Sequence, residues 1–195
     1  MTIVFTLPLR SAEAEPERQK LPFIGVGPAM GWELGDLDGL SFEGPAMELR
    51  FAALFPTYPI IAIALDAKFS RVQIDLGDID QTADRITAGP TVGLMIPFDL
   101  FGIDLAGAPR GAGLPVFVGL VGLDRLALAG EGGSFRGLGV KAGLQLPLGK
   151  LVLQLEYART QFGDIDNSEL NVDDSVSADT FGVKLQIPVV FVEHD

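Results

Sequence analysis

The sequence contains no cysteine and a single histidine, His194. A chain without cysteine forms no disulfide and has no thiolate that could act as a nucleophile or bind a metal. One isolated histidine near the end of the sequence cannot build a His/Cys metal site, and it is poorly placed for a catalytic role. We therefore expect no catalytic residues, no metal site and no cofactor.

Long apolar runs are also missing. The longest stretch without a charged residue covers 51–65, and Pro56 and Pro59 interrupt it. A helix that crosses a membrane needs about 20 consecutive apolar residues. The sequence therefore excludes a protein that spans a membrane with helices.

Positive charge is scarce, with 14 Lys and Arg against 26 Asp and Glu, so the formal net charge is −12. Nucleic acid is an unsuitable partner for such a chain, because binding it requires basic residues that neutralise phosphates. What the chain has instead is 48% hydrophobic residues, 24 Gly and 13 Pro. Gly and Pro disfavour helix interiors, so this composition indicates many strands and turns.

The N-terminal part differs from the remainder. A short apolar run at 3–9 is followed by Ala12-Glu13-Ala14, which has the form of a signal-peptidase site, and then by a polar segment. We interpret 1–20 as the remnant of a signal peptide or as a disordered tail. We place a single β-barrel domain at 21–192.

From Phe23 onward, apolar and polar or small residues alternate with a period of two, which is typical of strands with two different faces. In the last segment, Phe181, Val183 and Leu185 lie on one face, and Lys184 and Gln186 lie on the other. The segment near 113–124 is ambiguous because it is apolar on both faces. The pattern predicts eight strands, near 22–34, 42–55, 59–71, 85–97, 113–124, 134–147, 150–163 and 178–191.

These segments are longer than strands of soluble proteins, and their length suits a tilted strand that crosses a bilayer. The joins between them are predicted to alternate between short turns and longer acidic loops, such as 75–84 and 164–177. This asymmetry is typical of outer-membrane barrels. The segment 98–112 breaks the alternation and is either a small interfacial segment or an additional pair of short strands.

The second face of the strands is small and charged. Four acids and four bases lie on it: Glu33, Glu48, Arg50, Asp66, Lys68, Lys141, Glu156 and Lys184. A closed interior requires such a balance, because an unpaired charge removed from water costs several kcal/mol. We predict that these residues form a charge network in the lumen of the barrel, with Lys141 paired to Glu156. The apolar face then contacts lipid.

This layout resembles the small eight-stranded outer-membrane β-barrels, the group that includes the transmembrane domain of outer-membrane protein A and the opacity-type barrels. The resemblance covers 21–191 and includes the closing segment 183–191, which ends on Phe191. It implies an all-β, antiparallel, up-and-down transmembrane barrel in a bacterial outer membrane. It also implies outer-membrane lipid and the barrel-assembly machinery as partners, and a monomer.

Three further patterns resemble functional sites but are better explained by structure. The segment 137–142 has the spacing G-x-G-x-x-A, but the alternation continues through it, so a glycine-lined strand is expected and not a nucleotide site. Glu48 with Arg50, and Asp66 with Lys68, resemble acid/base pairs and are better explained as interior ion pairs. The acidic loops lack the spacing of an EF-hand and are expected to be solvated.

The sequence therefore predicts a non-enzymatic outer-membrane barrel with a filled polar lumen and a structural or surface-interaction role. The alternative is a soluble or periplasmic barrel of the lipocalin type that binds a small hydrophobic ligand. The two hypotheses make opposite predictions. In the alternative, Leu153 and Leu185 are shielded, while Lys141 and Lys184 are exposed to solvent.

Overall fold

A computed structural model describes residues 23–55, 61–75, 80–97, 113–129, 134–148, 150–163, 176–187 and 189–191 of the chain. In this part of the chain, no helix is long and apolar enough to cross a membrane. The predicted N-terminal segment 1–20, the segment 98–112 and His194 lie outside the described residues.

The described residues form strands. In chain order they are β1 (Phe23–Leu37), β2 (Leu40–Phe55), β3 (Ile61–Asp75), β4 (Asp80–Pro97), β5 (Gly113–Leu128), β6 (Ser134–Leu148), β7 (Leu151–Gly163), β8 (Val176–Gln186) and β9 (Val189–Phe191). Each strand from β1 to β8 pairs antiparallel with the next one in the chain.

The sheet closes because β1 pairs with both β2 and β8. The short strand β9 pairs with β1 in the same register as β8. It is therefore a continuation of β8 and not a ninth strand of the barrel. The predicted antiparallel, up-and-down barrel of eight strands is therefore confirmed.

The strands are staggered around the barrel. A path of register partners that leaves β1 at Gly25 passes once around all eight strands and returns to β1 at Gly35, a shift of 10 residues (35 − 25). Such a shear requires tilted strands, and eight strands enclose a space just wide enough for side chains. Glycine makes room where a long side chain crosses this space: a Cβ added to Gly31 would lie 2.8 Å from Cγ of Lys184.

The predicted alternation of short and long joins is wrong. We call the end of the barrel where β1 joins β2 the hairpin rim, and the end where β1 begins and β9 ends the terminal rim. Asp38 and Gly39 alone separate β1 from β2, and both have positive φ (51° and 90°), as a two-residue Asp-Gly hairpin requires. Most of the predicted acidic loop at 75–84 is strand, because β3 continues to Asp75 and β4 begins at Asp80.

The ambiguous segment β5 contains an irregularity that explains its sequence. Its pairing with β6 shifts register between Val121 and Asp124, and its pairing with β4 shifts nearby. Val121 and Asp124 are both buried, whereas Leu123 between them is exposed. Because three steps separate the two inward residues, the bulge exchanges the two faces of the strand. Simple alternation therefore fails here.

Candidate functional site: the charged interior

The barrel presents apolar side chains to its surroundings and charged side chains to its interior. Met30 is 68% exposed, Leu138 is 66% exposed and Leu185 is 46% exposed, whereas Lys184 is only 2% exposed. In a water-soluble protein, large apolar residues are mostly buried and lysine almost never is. This distribution is the inverse of a soluble barrel.

All eight side chains that the sequence singled out are buried. Glu33 lies on β1, Glu48 and Arg50 on β2, Asp66 and Lys68 on β3, Lys141 on β6, Glu156 on β7 and Lys184 on β8. They approach one another from six of the eight strands, and their ion pairs join into one continuous network, described below from its acidic members.

Asp66 accepts hydrogen bonds from three side chains. Arg50 donates from Nε to Oδ1 at 2.6 Å and from Nη2 to Oδ2 at 3.1 Å, which is the bidentate geometry that guanidinium and carboxylate favour. Lys141 donates to Oδ2 at 2.6 Å from the opposite side of the interior, and Thr91 donates to the same oxygen at 2.5 Å. Asp66 therefore holds two cations.

Glu48 and Glu156 share Lys184. The Nζ of Lys184 donates to Glu48 and, at 3.0 Å, to Oε1 of Glu156. Arg50 lies 3.5 Å from Glu48 and links this group to Asp66. The buried amide of Gln154 donates to Oε2 of Glu156 at 3.3 Å, so the second oxygen of that carboxylate is also satisfied.

Glu33 completes the network from β1. It accepts hydrogen bonds from Lys68 at 2.7 Å and from the hydroxyl of Ser70. Lys68 also lies 3.8 Å from Oε1 of Glu156, and this contact connects Glu33 to the remaining residues. Each of the eight charges thus has an opposite charge within 4 Å.

The predicted pairing of Lys141 with Glu156 is wrong. Register places Lys141 opposite Ala158 and Glu156 opposite Gly143, so the two are diagonal neighbours. The ion pair of Lys141 crosses the interior to Asp66 instead. A narrow barrel makes cross-lumen pairs available to long side chains, and alternation along one strand carries no information about them.

Sequence reasoning missed a second buried ion pair. Arg85 donates to both carboxylate oxygens of Asp124 at 2.5–3.2 Å, donates to Thr180 at 2.8 Å and stacks over the ring of Phe42. Arg85 is the first residue of the predicted strand 85–97, so its face was not assigned. Asp124 follows the bulge, which turns it from the outer face to the interior. With this pair, the buried charged residues number five acids and five bases in the described part of the chain.

Apolar side chains fill the interior next to the hairpin rim. This apolar cluster consists of Leu37, Phe42, Val72, Ile74, Ala83, Leu126, Phe162 and Ala178, with Phe135 of β6 packed against it. Seven of the eight barrel strands contribute a residue to the cluster, and the eighth, β6, contributes Phe135 at its edge. The cavity left among these side chains is about 10 Å³, which leaves no space for a ligand.

Beside the apolar cluster, the outer face of the barrel becomes charged. Each strand carries one outward-facing charged residue directly beyond its last outward apolar residue. We call this ring the charged collar: Asp36, Glu43, Arg71, Asp84, Arg125, Arg136, Arg159 and Asp179. The faces of all eight strands therefore exchange polarity at one level near the hairpin rim.

Two ion pairs lie within the charged collar. Arg71 donates from Nε to Oδ1 of Asp84 at 2.8 Å and from Nη2 to Oδ2 at 3.2 Å, and these hydrogen bonds lower the pKa of the Asp84 carboxyl and raise the pKa of Arg71. Arg159 lies 3.9 Å from Asp179, which also accepts a hydrogen bond from Tyr157 at 2.5 Å.

The chemistry of the interior is that of a closed ion-pair network. Its carboxylates are paired with cations, and its cations with carboxylates. Within the ranges that the structure describes, no cluster of three or more His, Cys, Asp or Glu residues could hold a metal ion.

These features define an eight-stranded antiparallel barrel with an apolar outer belt and a charged interior. Solved structures share this fold. Neisserial surface protein A (NspA) matches with a TM-score of 0.50 and 13% identity over 84% of this chain and 96% of NspA. At this identity the similarity shows the fold alone. The resemblance to small eight-stranded outer-membrane barrels is thus confirmed as a resemblance of fold.

Two other structures match with lower TM-scores. Ail, the attachment invasion locus protein of Yersinia pestis, matches with a TM-score of 0.44 and 14% identity over 87% of this chain and 99% of Ail. The outer membrane protein AlkL matches with a TM-score of 0.44 and 12% identity over 95% of this chain and 99% of AlkL. No known sequence family and no curated protein sequence matches the chain.

Proposed function

We propose that this chain is a monomeric barrel that crosses a bacterial outer membrane, and that it has a structural or surface-contact role without enzymatic activity. The observation that carries the proposal is the inverted barrel: exposed apolar side chains surround a buried, charge-balanced interior. Exposing such a belt to water would be costly, at about 25 cal/mol for each Å² of apolar surface.

The dimensions of the apolar belt support a bilayer as its surroundings. On β1, the outward residues from Ile24 to Leu34 are all apolar. Ten residues at a rise of about 3.3 Å and a tilt of about 40° span about 25 Å, which is the height of the apolar band on outer-membrane barrels. The charged collar then lies at the level of the lipid headgroups.

The interior supports a role other than diffusion through a pore. Five acids and five bases meet inside the barrel, and the apolar cluster fills the space toward the hairpin rim. An open aqueous channel would need water where these side chains lie. We infer that the protein acts through its membrane-exposed surface and its rims.

A gel-mobility and fractionation experiment tests the proposal. The folded chain should migrate differently before and after boiling, and it should partition with outer membranes when it is expressed in a Gram-negative host. The matched control is Asp66→Ala, which removes the carboxylate that holds Arg50 and Lys141, and should reduce the folded band. A water-soluble native chain without a heat-dependent shift would contradict the proposal.

The alternative, a lipocalin-like soluble barrel, requires the opposite orientation of the two faces. It predicts exposed Lys141 and Lys184 and shielded Leu153 and Leu185. Lys141 is 9% exposed and Lys184 is buried, whereas Leu185 is exposed and Leu153 is partly exposed. The geometry therefore favours the membrane barrel.

A further inference from the structure

The charged collar is not uniform around the barrel. Arg71 and Arg159 each pair with an acidic residue of the collar. Arg125 on β5 and Arg136 on β6 are exposed, and among the described residues no carboxylate lies within ion-pair distance of either. These two arginines are the basic residues of the collar for which the described structure provides no counter-ion.

Arg125 and Arg136 are direct cross-strand partners. Like charges placed opposite each other on adjacent strands destabilise a sheet. Their outer register neighbours are Ile86 on β4 and Gly163 on β7, which bring no charge to offset the repulsion. An anion bound between the two guanidinium groups would convert this repulsion into two attractive contacts.

The location of the pair indicates where such an anion would come from. Toward the terminal rim, the next outward residue on β5 is Leu123, which is exposed beside the bulge. The next outward residue on β6 is Leu138, which is 66% exposed. The two arginines therefore adjoin the apolar outer belt, which in the proposed location contacts acyl chains. An anion at this position with its own acyl chains can satisfy both surfaces at once.

We propose that Arg125 and Arg136 form a binding site for the phosphate group of a lipid in the leaflet at the hairpin rim. Arginine suits this role because its planar guanidinium donates two parallel hydrogen bonds to a phosphate. The proposal rests on the membrane location proposed above. It adds a ligand class and two residues that the role of the barrel alone does not require.

Native mass spectrometry of the full chain in a maltoside detergent tests the site, because maltoside headgroups carry no phosphate. The probes are lipid A with two phosphate groups, a phosphate-free diacyl glycolipid and inorganic phosphate in large excess. We expect one lipid A to bind to the native chain, and neither of the other probes to bind or to compete. Arg125→Gln with Arg136→Gln should weaken lipid A binding by about tenfold or more.

Arg71→Gln is the matched control, because it removes a collar arginine that is also exposed but already has an acidic partner, Asp84. It should leave lipid A affinity within about twofold of the native value. An unchanged affinity in the double variant, or an equal loss in Arg71→Gln, would overturn the proposal. Competition by inorganic phosphate would overturn the lipid as the source of the anion.

Two further outcomes would assign the pair to another occupant and would also overturn the proposal. The first outcome concerns Glu131, which lies between β5 and β6 in the sequence. A tenfold gain of lipid A affinity in Glu131→Gln would show that the Glu131 carboxylate, and not a lipid phosphate, binds Arg125 and Arg136. A dimer peak that disappears in the double variant would show a second copy of the chain. Arg125→Gln alone should give an intermediate loss and checks the result if the double variant folds poorly.

Failure of this site and failure of the proposed membrane location are distinguishable. The double variant should keep the heat-dependent gel shift, and without lipid it should unfold at a denaturant concentration equal to or above that of the native chain, because a repulsion has been removed. Loss of the gel shift in the native chain itself would count against the membrane barrel, whatever the lipid measurements show.

Discussion

The interior of the barrel has two parts that are built by opposite rules. The middle of the interior holds a network of buried ion pairs centred on Asp66, Glu156 and Lys184. The part next to the hairpin rim is an apolar cluster that includes Phe42 and Phe162. The outer face changes in the reverse sense, from apolar beside the network to charged beside the cluster.

This difference indicates which solvent surrounds each part. A barrel in lipid turns its apolar face outward and must pair the charges inside. A barrel in water turns its polar face outward and buries apolar side chains. The hairpin end follows the second rule, so we infer that the strands project beyond the membrane there. The charged collar marks the boundary.

The extra residue of the β5 bulge distinguishes this strand from the regular strand β6, and a deletion in β6 should have the largest effect. Deletion of Gly139 turns over one half of β6, so either Lys141 leaves the interior or the half toward the hairpin rim exchanges its faces, and we expect no folded band in the gel-mobility assay. Deletion of Gly122 instead removes the extra residue of the bulge. Val121 and Asp124 are then two steps apart and both still point inward, so the buried ion pair of Asp124 is kept and the folded band should remain. Equal loss in both variants would argue against the bulge.

Removal of one charge from the network should cost more than removal of a charge from the collar. Asp66→Asn leaves Arg50 and Lys141 without full compensation, and we expect a loss of about 3–5 kcal/mol in the free energy of unfolding in detergent. Asp84→Asn removes a carboxylate of the exposed pair and should have no measurable effect. Equal effects of the two substitutions would refute the enclosed network.

The apolar cluster should respond to a change of side-chain shape, whereas the apolar outer belt should not. Phe162→Leu in the cluster should lower the free energy of unfolding by about 1 kcal/mol, because the side chain is packed on all sides. Phe181→Leu on the outer face should be close to neutral in a micelle or a vesicle. The free energies can be compared by unfolding both variants with denaturant.

The smallest effect concerns pH at the collar. The hydrogen bonds from Arg71 lower the pKa of Asp84 below its ordinary value of 3.8. A carboxyl whose pKa is lowered on folding stabilises the fold above its unfolded pKa, and this contribution is lost as the pH falls through the lowered value. A carbon-detected NMR titration should find the lowered pKa in the native chain and an ordinary one in Arg71→Gln.

Much of the barrel could be predicted from the sequence because one face of each strand is apolar over most of its length. Between Leu138 and Leu146, and between Phe181 and Ile187, the alternation has a single physical cause and no local exception. It defined strand number, topology and the eight residues whose side chains the structure places together in the interior. Ends of strands were predicted less well, because polarity reverses at the collar and the residues beyond it looked like loop.

The contacts inside the barrel could not be predicted in the same way. The partner of Lys141 depends on distances across the lumen, and Asp124 points inward only because a bulge precedes it. Neither fact follows from the period of a single strand. The apolar cluster could not be predicted for a related reason. Along most of β3 the inward residues are polar or small, but near its end the inward residues Val72 and Ile74 are apolar. Alternation alone does not say which face of a strand is inside.

The inverted faces and their reversal at the collar can be tested along one strand. Because the chain has no cysteine, single substitutions Arg136→Cys, Leu138→Cys and Val140→Cys provide unique sites for a spin label on β6. In lipid vesicles, relaxation by a water-soluble nickel chelate should dominate at 136, and relaxation by oxygen, which concentrates in the acyl region, should dominate at 138 and 140. Equal nickel accessibility at all three positions would contradict a membrane boundary at the charged collar.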